Sequence, residues 1–327
     1  MDLINNQNKF VFKEKTKYDK GFSRFYAENL YPLIERFNAE RKIALKKTAK
    51  NLLIFVVISA IFYCFFCKVK IWLILMCVLI VIYFIIFLSV FSPIFAYENK
   101  IREKIYKQIF KFVGPFEYTY WYTKDISYIK DSKLFGVSSK ESVFNFIDGV
   151  YDGHRINIFN ITLSKSDPIV ILKPGYRRVI WIQFDGLIIH ISINKPFVGK
   201  TLLLKKDGFG FSFKDHHLQK KYGFEKIKIE YPKFNKIFKA FSTDKNEADY
   251  LLTEDFMKGL VSLSNLFKRS KIEASFYNNS LLIAIQGYKN NFEPRTVFLK
   301  NTFVSDARKI INQMGLILEV IDLLKLE

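Results

Sequence analysis

The chain has 327 residues and a formal net charge of +20. This length leaves room for one large or two small soluble domains besides a membrane segment. The basic excess alone does not indicate nucleic-acid binding, because only ten of the 51 basic residues are arginine and no recognised binding module accompanies them.

The N-terminal region begins with polar residues 1–20, which have no usable periodicity and are predicted to form a flexible tail. A helical spacing of apolar residues starts after Gly21 and continues to Phe37. Pro32 lies inside this pattern, so it either belongs to the first turn of a helix capped near Asn29 or kinks a longer helix. We expect this helix to lead into the membrane, either as a simple stalk or as a docking face for a later domain.

Two uncharged apolar runs, Leu52–Cys67 and Ile71–Phe91, are separated only by Lys68-Val69-Lys70. A helix rises about 1.5 Å per residue, so roughly 20 residues cross a hydrocarbon core about 30 Å thick. The second run is long enough alone, and the first needs a few residues from the preceding lysine-rich segment. Neither run has a polar stripe, so the pattern predicts a transmembrane hairpin with spans at about residues 48–67 and 71–92.

The distribution of basic residues predicts the orientation of this hairpin. Six Lys and Arg residues lie between Arg36 and Lys50 and five between Lys100 and Lys111, whereas the turn carries two. Short cytoplasmic segments are enriched in such residues. The chain is therefore predicted to be a multi-pass protein of the bacterial inner membrane, with both termini cytoplasmic and the lipid bilayer as a partner.

The second span should break at Ser92-Pro93, and helical spacing resumes from Tyr97 to Val113. This basic amphipathic helix can either lie on the inner leaflet or pair with the helix that precedes the first span. We favour pairing, because the apolar stripes of both helices need cover. Residues 21–113 are thus expected to form a helical region that contains the hairpin and its cytoplasmic extensions.

Residues 114–215 change to the alternating pattern of β-structure after Gly114-Pro115. Asp-Gly pairs between alternating runs are typical of hairpin turns, so the region is predicted to be an antiparallel meander. The predicted strands are Tyr118–Tyr122, Val143–Ile147, Ile156–Ile161, Ile180–Phe184, Leu187–Ile193 and Thr201–Lys205. The predicted turns are Asp148-Gly149, Asp152-Gly153, Lys173-Pro174-Gly175 and Asp185-Gly186.

Residues 226–327 mix helical and strand patterns, which makes the cytoplasmic region 114–327 an α+β region of possibly two subdomains. Lys226–Tyr231 alternates like an exposed strand, and Phe234–Phe241 fits either a helix or a strand. Thr253 should cap a helix that runs to about Lys268. A hairpin is predicted around Asn278-Asn279, followed by a closing helix from Ser305 or Asp306 with an apolar stripe of Ile310, Met314, Ile317 and Ile321.

No motif indicates a cofactor or a metal. Gly208-Phe209-Gly210-Phe211 lacks the residues of a phosphate loop. His216-His217 lie in a charged segment that we interpret as a loop, and adjacent residues rarely bind one ion. Cys64 and Cys67 have a redox spacing but lie in an apolar run, without the βαβ setting that such a motif needs. We therefore assign no catalytic, cofactor-binding or metal-ligating residue.

Several segments together resemble a bacterial membrane-anchored family, domain of unknown function 3137. The most specific is Phe234–Leu260, with Phe241-Ser242-Thr243-Asp244 and Glu247-Ala248-Asp249-Tyr250-Leu251-Leu252-Thr253. The other segments are Phe25-Tyr26 with Leu30–Leu33, Ser132–Phe135, Asp148–Gly153, Phe197–Thr201 and Phe292-Glu293-Pro294. The resemblance implies the architecture and a bacterial origin but no activity, since the family supplies none.

Three functions remain open. We favour a non-enzymatic binding or scaffold module whose β-rich domain binds an unknown cytoplasmic or membrane protein. The second is a membrane-associated enzyme, because carboxylates can transfer protons or hold a divalent ion; its candidates are Asp244, Glu247, Asp249, Glu254 and Asp255, although these also suit turns and helix starts. The third is binding of anionic lipid or nucleic acid through Lys205-Lys206, Lys220-Lys221 and Lys226–Lys228.

Overall fold

A computed structural model describes most of the chain, namely residues 14–66, 73–166, 170–171, 176–177, 180–194, 196–206, 213–288, 292, 297–298 and 302–324. These residues form an α+β protein with a long N-terminal apolar helix and a large antiparallel sheet. Two compact units are distinguished. The helical unit is Met1–Phe112 with Phe292–Ile311, and the sheet unit is Val113–Asn291 with Asn312–Glu327.

The helical unit consists of an antiparallel pair of long helical segments. Phe37 packs against Tyr97, with ring centroids 6.3 Å apart, and Glu40 forms an ion pair with Lys100 at 3.0 Å. The helices before and after the apolar runs therefore pair with each other, as favoured from their stripes. The elements are α1 (Phe22–Phe25), a π-helical turn (Tyr26–Leu30), α2 (Tyr31–Phe66), α3 (Leu73–Val90), α4 (Ser92–Ile101), a second π-helical turn (Arg102–Tyr106) and α5 (Lys107–Val113).

Pro32 is the second residue after the first π-helical turn, which ends at Leu30. In a regular α-helix its ring would clash with the carbonyl of Glu28, and the wider π turn ends at Leu30, just before it. The helix begins at Phe22, so Asn29 is not its cap, and the Asn29 amide donates instead to the carbonyl of Phe25 at 3.2 Å. The cap alternative is therefore wrong, because a π turn accommodates the proline inside a longer helix.

The apolar helices only partly match the predicted hairpin. Among the described residues, one helix, Phe22–Cys64, is long and apolar enough by itself to cross a membrane. A second candidate exists only if Ile80–Val90 and Ser92–Val113, which meet at a bend of 41°, count as one span. That bend confirms the predicted break at Ser92-Pro93. The predicted turn Lys68-Val69-Lys70 lies outside the described residues.

The sheet unit is built on nine strands in the order β1-β2-β3-β6-β11-β10-β7-β9-β8, and all the pairings between neighbours are antiparallel. A separate two-stranded ribbon pairs β4 with β5. The strands are β1 (Phe116–Tyr122), β2 (Lys140–Tyr151), β3 (His154–Ser166), β4 (Val170–Ile171), β5 (Tyr176–Arg177), β6 (Ile180–Ser192), β7 (Thr201–Lys205), β8 (Glu225–Ile227), β9 (Phe238–Ser242), β10 (Lys271–Tyr277) and β11 (Ser280–Gln286).

Two of the predicted Asp-Gly turns are wrong. Asp148-Gly149 lies inside β2, and Asp185-Gly186 lies inside β6, so the two strands predicted on either side of residue 185 are one strand. The glycine has a packing role, because a Cβ on Gly186 would lie 2.2 Å from the carbonyl oxygen of Ile285 on β11. Gly186 therefore follows an aspartate as a turn glycine does, but its role is to let β6 and β11 approach closely.

Other turns match the sequence. Asp152-Gly153 joins β2 to β3 with positive φ at both residues, and Asn278-Asn279 does the same between β10 and β11. These dihedrals are typical of tight hairpin turns. The predicted Lys173-Pro174-Gly175 turn and Gly208–Phe211 lie outside the described residues.

The helices of the sheet unit bring further corrections. His216-His217 lie in α6 and not in a loop, and the predicted strand Lys226–Tyr231 is reduced to β8, because Pro232 then begins a helix. Thr253 caps α9 as predicted, since its Oγ1 accepts the N–H of Phe256 at 3.3 Å. The helices are α6 (Phe213–Tyr222), α7 (Pro232–Ile237), α8 (Lys245–Leu251), α9 (Glu254–Leu266) and α10 (Val304–Leu324), with a 3₁₀ helix at Ser127–Ser132.

The sheet is covered on both faces. On one face, the 3₁₀ helix is held by Ser275, whose Oγ donates to the carbonyl of Ser132 at 2.8 Å. The core beneath it includes Phe159, Ile188 and Leu282. On the other face, Phe256 of α9 packs against Phe276 of β10, with ring centroids 5.0 Å apart. A sheet with both faces buried reads as nearly continuous apolar runs.

Candidate functional site

The acidic cluster proposed for an enzyme contributes to local structure. Asp244 caps α8 by accepting the N–H of Glu247 at 3.1 Å. The Glu247 carboxylate accepts main-chain N–H groups of the preceding loop, from Val198 at 3.0 Å and from Gly199 at 2.5 Å. Glu254 and Asp255 lie in the first turn of α9, and Lys258 is 2.8 Å from the Glu254 carboxylate.

Metal binding finds no support in the same cluster. In the part of the chain that the structure describes, no group of three His, Cys, Asp or Glu residues is placed to hold an ion. Asp249 is exposed on α8. The helix-start and turn interpretation of these residues therefore accounts for their positions.

Two of the segments that resemble the family hold each other through a network that we call the loop tether. It joins Val198, Gly199, Lys200 and Thr201 to Ser242, Thr243 and Glu247. Thr243 Oγ1 accepts the N–H of Lys200 at 2.8 Å, and Ser242 Oγ lies 2.9 Å from Thr201 Oγ1. A Cβ on Gly199 would lie 2.6 Å from a Glu247 carboxylate oxygen, so glycine lets this carboxylate approach the loop closely. The tether fixes the loop before β7 against the start of α8.

A polar row crosses three neighbouring strands on one face of the sheet, and sequence reasoning missed it. Asp148 of β2 lies opposite Asn157 of β3, which lies opposite His190 of β6. Directly opposite residues project from the same face of a sheet. Arg155 donates to Asp148 through Nε and Nη2, both at 3.1 Å, and the Asn157 amide donates to the same carboxylate at 2.7 Å.

Two tyrosines extend this row at the histidine. The His190 ring lies 4.9 Å from the ring of Tyr128 and 6.1 Å from that of Tyr277. Burial lowers the pKa of His190 to about 4 and raises the pKa of both tyrosines well above their usual range. At neutral pH these three side chains are uncharged. They offer hydrogen-bonding groups rather than an acid–base pair poised near pH 7.

The lysines proposed for lipid or nucleic-acid binding are partly engaged by the protein itself. Lys205 Nζ donates to the carbonyl of Ser270 at 2.8 Å, and Lys206 Nζ donates to that of Asn235. Lys221 lies over the ring of Tyr222, 5.3 Å from its centroid. Lys205 lies on β7, Lys220 and Lys221 on α6, and Lys226 on β8.

The helical unit exposes an extended apolar surface along α2 and α3. In Phe22–Cys64, only 6% of the most apolar 18-residue window is buried. Exposed apolar side chains occur on both α2 and α3, and they include Leu53, Ile61, Val81 and Ile85. The two helices contact each other through Ser59, whose Oγ lies 3.0 Å from the hydroxyl of Tyr83.

A segment from the C-terminal part of the chain packs on this helix pair, within the helical unit. We call its described residues, 297–298 and 302–306, the return segment. Tyr26, in the first π-helical turn, donates its hydroxyl to the carbonyl of Thr302 at 2.9 Å. Tyr106, in the second, donates to the Asp306 carboxylate at 3.3 Å. Phe303 packs edge-on against Phe37, with ring centroids 6.3 Å apart. Each π-helical turn thus supplies one tyrosine to the segment where α10 begins.

These features define an α+β protein with a long apolar N-terminal helix, a large antiparallel sheet and no described catalytic constellation. Residues 182–326 match the family described as "Protein of unknown function (DUF3137)". The resemblance is therefore confirmed from β6 through α10, whereas the family-like segments at residues 25–33, 132–135 and 148–153 lie outside the match. No curated protein matches the sequence.

A comparison with solved structures matches the chain to the crystal structure of the mycobacterial trehalose monomycolate transport factor A, TtfA. The two share 14% sequence identity, and the TM-score is 0.35. The similarity covers 67% of this chain and 92% of that one.

Proposed function

We propose that this protein is a non-enzymatic binding module of the bacterial inner membrane. A transmembrane hairpin of α2 and α3 anchors it, both termini face the cytoplasm, and the sheet unit binds a cytoplasmic or membrane protein there. The observation that carries this proposal is the exposure of the apolar helix, of which 6% of the most apolar window is buried. Water does not tolerate a continuous apolar surface of this length, whereas lipid does.

The two-helix form of the anchor is supported by contacts between α2 and α3. Phe55 packs against both Tyr83 and Phe87, with ring centroids 4.9 and 5.4 Å apart. Ser59 Oγ donates to the carbonyl of Phe55 at 2.6 Å and lies 3.0 Å from the Tyr83 hydroxyl, so it gives that hydroxyl an acceptor within the helix pair. The basic residues that flank both helices support a cytoplasmic location of the two ends.

The binding role is supported by the free edge of the sheet. β1 is the first strand in the sheet order and pairs with β2 alone among the described strands, so the backbone of its other edge can add a strand. Trp121 on this strand is 64% exposed and stacks edge-on with Tyr120 at 5.1 Å. An extended segment of a protein partner would satisfy the strand edge and cover the tryptophan.

Cysteine accessibility tests the anchor, because all three native cysteines lie in the apolar runs and can be removed. In a variant with Cys64, Cys67 and Cys77 changed to alanine, single cysteines are introduced as Asn6→Cys, Val69→Cys and Leu326→Cys. We expect a membrane-impermeant maleimide to label only position 69 in intact spheroplasts, and the other two after permeabilisation. Labelling of position 6 or 326 from outside would overturn the proposed topology.

Photo-cross-linking in native membranes tests the binding role. A photoreactive amino acid at position 121 should form one discrete adduct with another protein or with a second copy of this chain. The matched control is position 250, because Tyr250 is also an exposed aromatic residue but lies on α8, away from a strand edge. If position 121 gave no discrete adduct, or the same products as position 250, the strand-edge binding role would be wrong.

A further inference from the structure

Arg41 of α2 has a partly buried guanidinium group whose charge is only partly compensated by contacts within the protein. It lies on the buried stripe of the helix between Phe37 and Ala44. Its Nη1 donates to the carbonyls of Val297 and Phe298, both at 3.2 Å. Two neutral carbonyls compensate only part of a charge that is half withdrawn from water.

The remainder of the guanidinium lacks a counter-charge in the described part of the chain. Its Nε is buried there without a hydrogen-bond acceptor. The nearest carboxylate along the helix, Glu40, is engaged by Arg36 at 3.3 Å and Lys100 at 3.0 Å. A partly buried cation without an anionic partner is costly, so the site favours an anion supplied from outside the chain.

A cavity lies beside this guanidinium within the helical unit. Its volume is about 300 Å³, which is at the lower end of the size of ligand pockets, and it is lined by Glu35, Asn38, Ala39, Arg41 and Lys42. The two cations outweigh the one carboxylate. Since Nη1 is engaged by the two carbonyls, Nη2 of Arg41 remains to donate a charged hydrogen bond to a phosphate oxygen, and the neighbouring lysine adds a point charge.

The position of the cavity along α2 suggests where such a group comes from. The proposed span begins near residue 48, about 10 Å along the helix from Arg41. The polar interface of a bilayer is roughly 5–7 Å deep on each side, and an arginine side chain extends several ångströms further. Ile43, the residue after Lys42, is exposed, as is Phe95 on the neighbouring helix α4. By its distance along the helix, the cavity therefore lies at the depth of the lipid headgroups in the proposed membrane arrangement.

We propose that this cavity binds a phosphate group through Arg41 and Lys42. The phosphate belongs either to the headgroup of an anionic phospholipid or to a free phosphate ion. The lipid source rests on the proposed membrane anchor, whereas the free ion does not. The ligand completes the charge of Arg41 and thereby stabilises the contact between α2 and the return segment at Val297 and Phe298.

Binding to the full-length protein in an uncharged detergent tests the proposal. Isothermal titration uses three probes: phosphatidylglycerol in mixed micelles, phosphatidylcholine as the uncharged lipid, and inorganic phosphate. Arg41→Gln removes the guanidinium group. Lys42→Gln removes the second charge and leaves the bonds from Arg41 to Val297 and Phe298 in place. Arg36→Gln is the matched control, because Arg36 is on the same helix and does not line the cavity.

We expect the dissociation constant of the anionic probe to rise about tenfold in Arg41→Gln, since a charged hydrogen bond is lost. A smaller rise is expected in Lys42→Gln and none in Arg36→Gln. This pattern with phosphatidylglycerol alone identifies the lipid source, and the same pattern with inorganic phosphate identifies the free ion. Equal binding of phosphatidylcholine, or equal losses in Arg36→Gln and Arg41→Gln, would overturn the site. The cysteine-labelling result decides the membrane anchor independently.

Discussion

The helical unit and the sheet unit place their apolar side chains in opposite ways. Ile61 on α2 is 64% exposed, whereas Ile283 on β11 is fully buried. The two residues are chemically identical, and the proposed membrane anchor accounts for the difference, because an exposed apolar surface suits lipid and a buried one suits a protein core. An apolar residue therefore contributes to the stability of the sheet unit and to the membrane affinity of the helical unit.

The largest expected effect comes from breaking the sheet core. Ile283→Ala should reduce the free energy of unfolding by about 2–5 kcal/mol, because it leaves a cavity between packed neighbours. Ile61→Ala, with the same change of side chain, should leave it almost unchanged. Urea unfolding of the detergent-solubilised protein, followed by tryptophan fluorescence, measures both. Similar losses in the two variants would show that the helices bury this residue as a core does.

A charge placed in the apolar helices should affect insertion instead. Val81 lies near the centre of α3 and is 57% exposed, and Val81→Arg should disfavour membrane insertion by about 2.5–3.5 kcal/mol. Val198 in the sheet unit is 92% exposed and offers the matched substitution. Alkaline extraction of membranes should release much of the Val81→Arg protein and little of the Val198→Arg protein. Equal release of both variants would contradict a lipid-facing α3.

The pH dependence of stability distinguishes the polar row of the sheet. Burial lowers the pKa of His190 to about 4, below its usual value near 6.5 in an unfolded chain. Between these two values the unfolded state binds the proton more readily. The contribution of His190 to the free energy of unfolding is therefore fully present above about pH 6.5 and is lost as the pH falls to about 4. The loss should reach up to about 3 kcal/mol.

Urea midpoints measured from pH 7 to pH 4 test this dependence. In His190→Gln the loss that the histidine causes should disappear, while the loss from other groups remains. A wild-type protein whose midpoint does not decrease over this range, or a variant that follows the same curve, would mean that His190 is readily protonated in the folded state.

The loop tether should give a smaller effect. Glu247→Gln replaces a carboxylate that accepts two main-chain N–H groups by a neutral amide with one acceptor oxygen, so we expect a loss of about 1–3 kcal/mol. Asp249→Asn, on the exposed side of the same helix, makes the equivalent change without these bonds. Faster hydrogen exchange at Val198 and Gly199 should accompany Glu247→Gln only. Equal effects of both variants would indicate general electrostatics rather than the tether.

The features that the sequence predicted correctly are those that local chemistry decides. Thr253 caps its helix and Asn278-Asn279 form their turn because these side chains act on neighbouring main-chain groups. Gly186 was misinterpreted because its role depends on β11, a strand that is distant in sequence. The polar row was missed for the same reason, since His190 meets Asn157 only through the pairing of β3 with β6.

The smallest expected effect concerns the hydrogen bonds between the tyrosines of the two π-helical turns and the return segment. Tyr26→Phe removes one hydrogen bond, to the carbonyl of Thr302, and leaves the ring in its packing position. A single neutral hydrogen bond contributes about 0.5–1.5 kcal/mol, and the abandoned carbonyl adds a desolvation cost. Tyr31→Phe is the control, because Tyr31 is exposed on the same long helix.

Protease sensitivity of the return segment measures this effect more directly than global unfolding does. Cleavage around residues 297–303 should be several-fold faster in Tyr26→Phe than in Tyr31→Phe, because local opening is more frequent when its free energy is reduced by about 1 kcal/mol. Equal cleavage rates would mean that aromatic packing of Phe303 against Phe37 suffices to hold the segment.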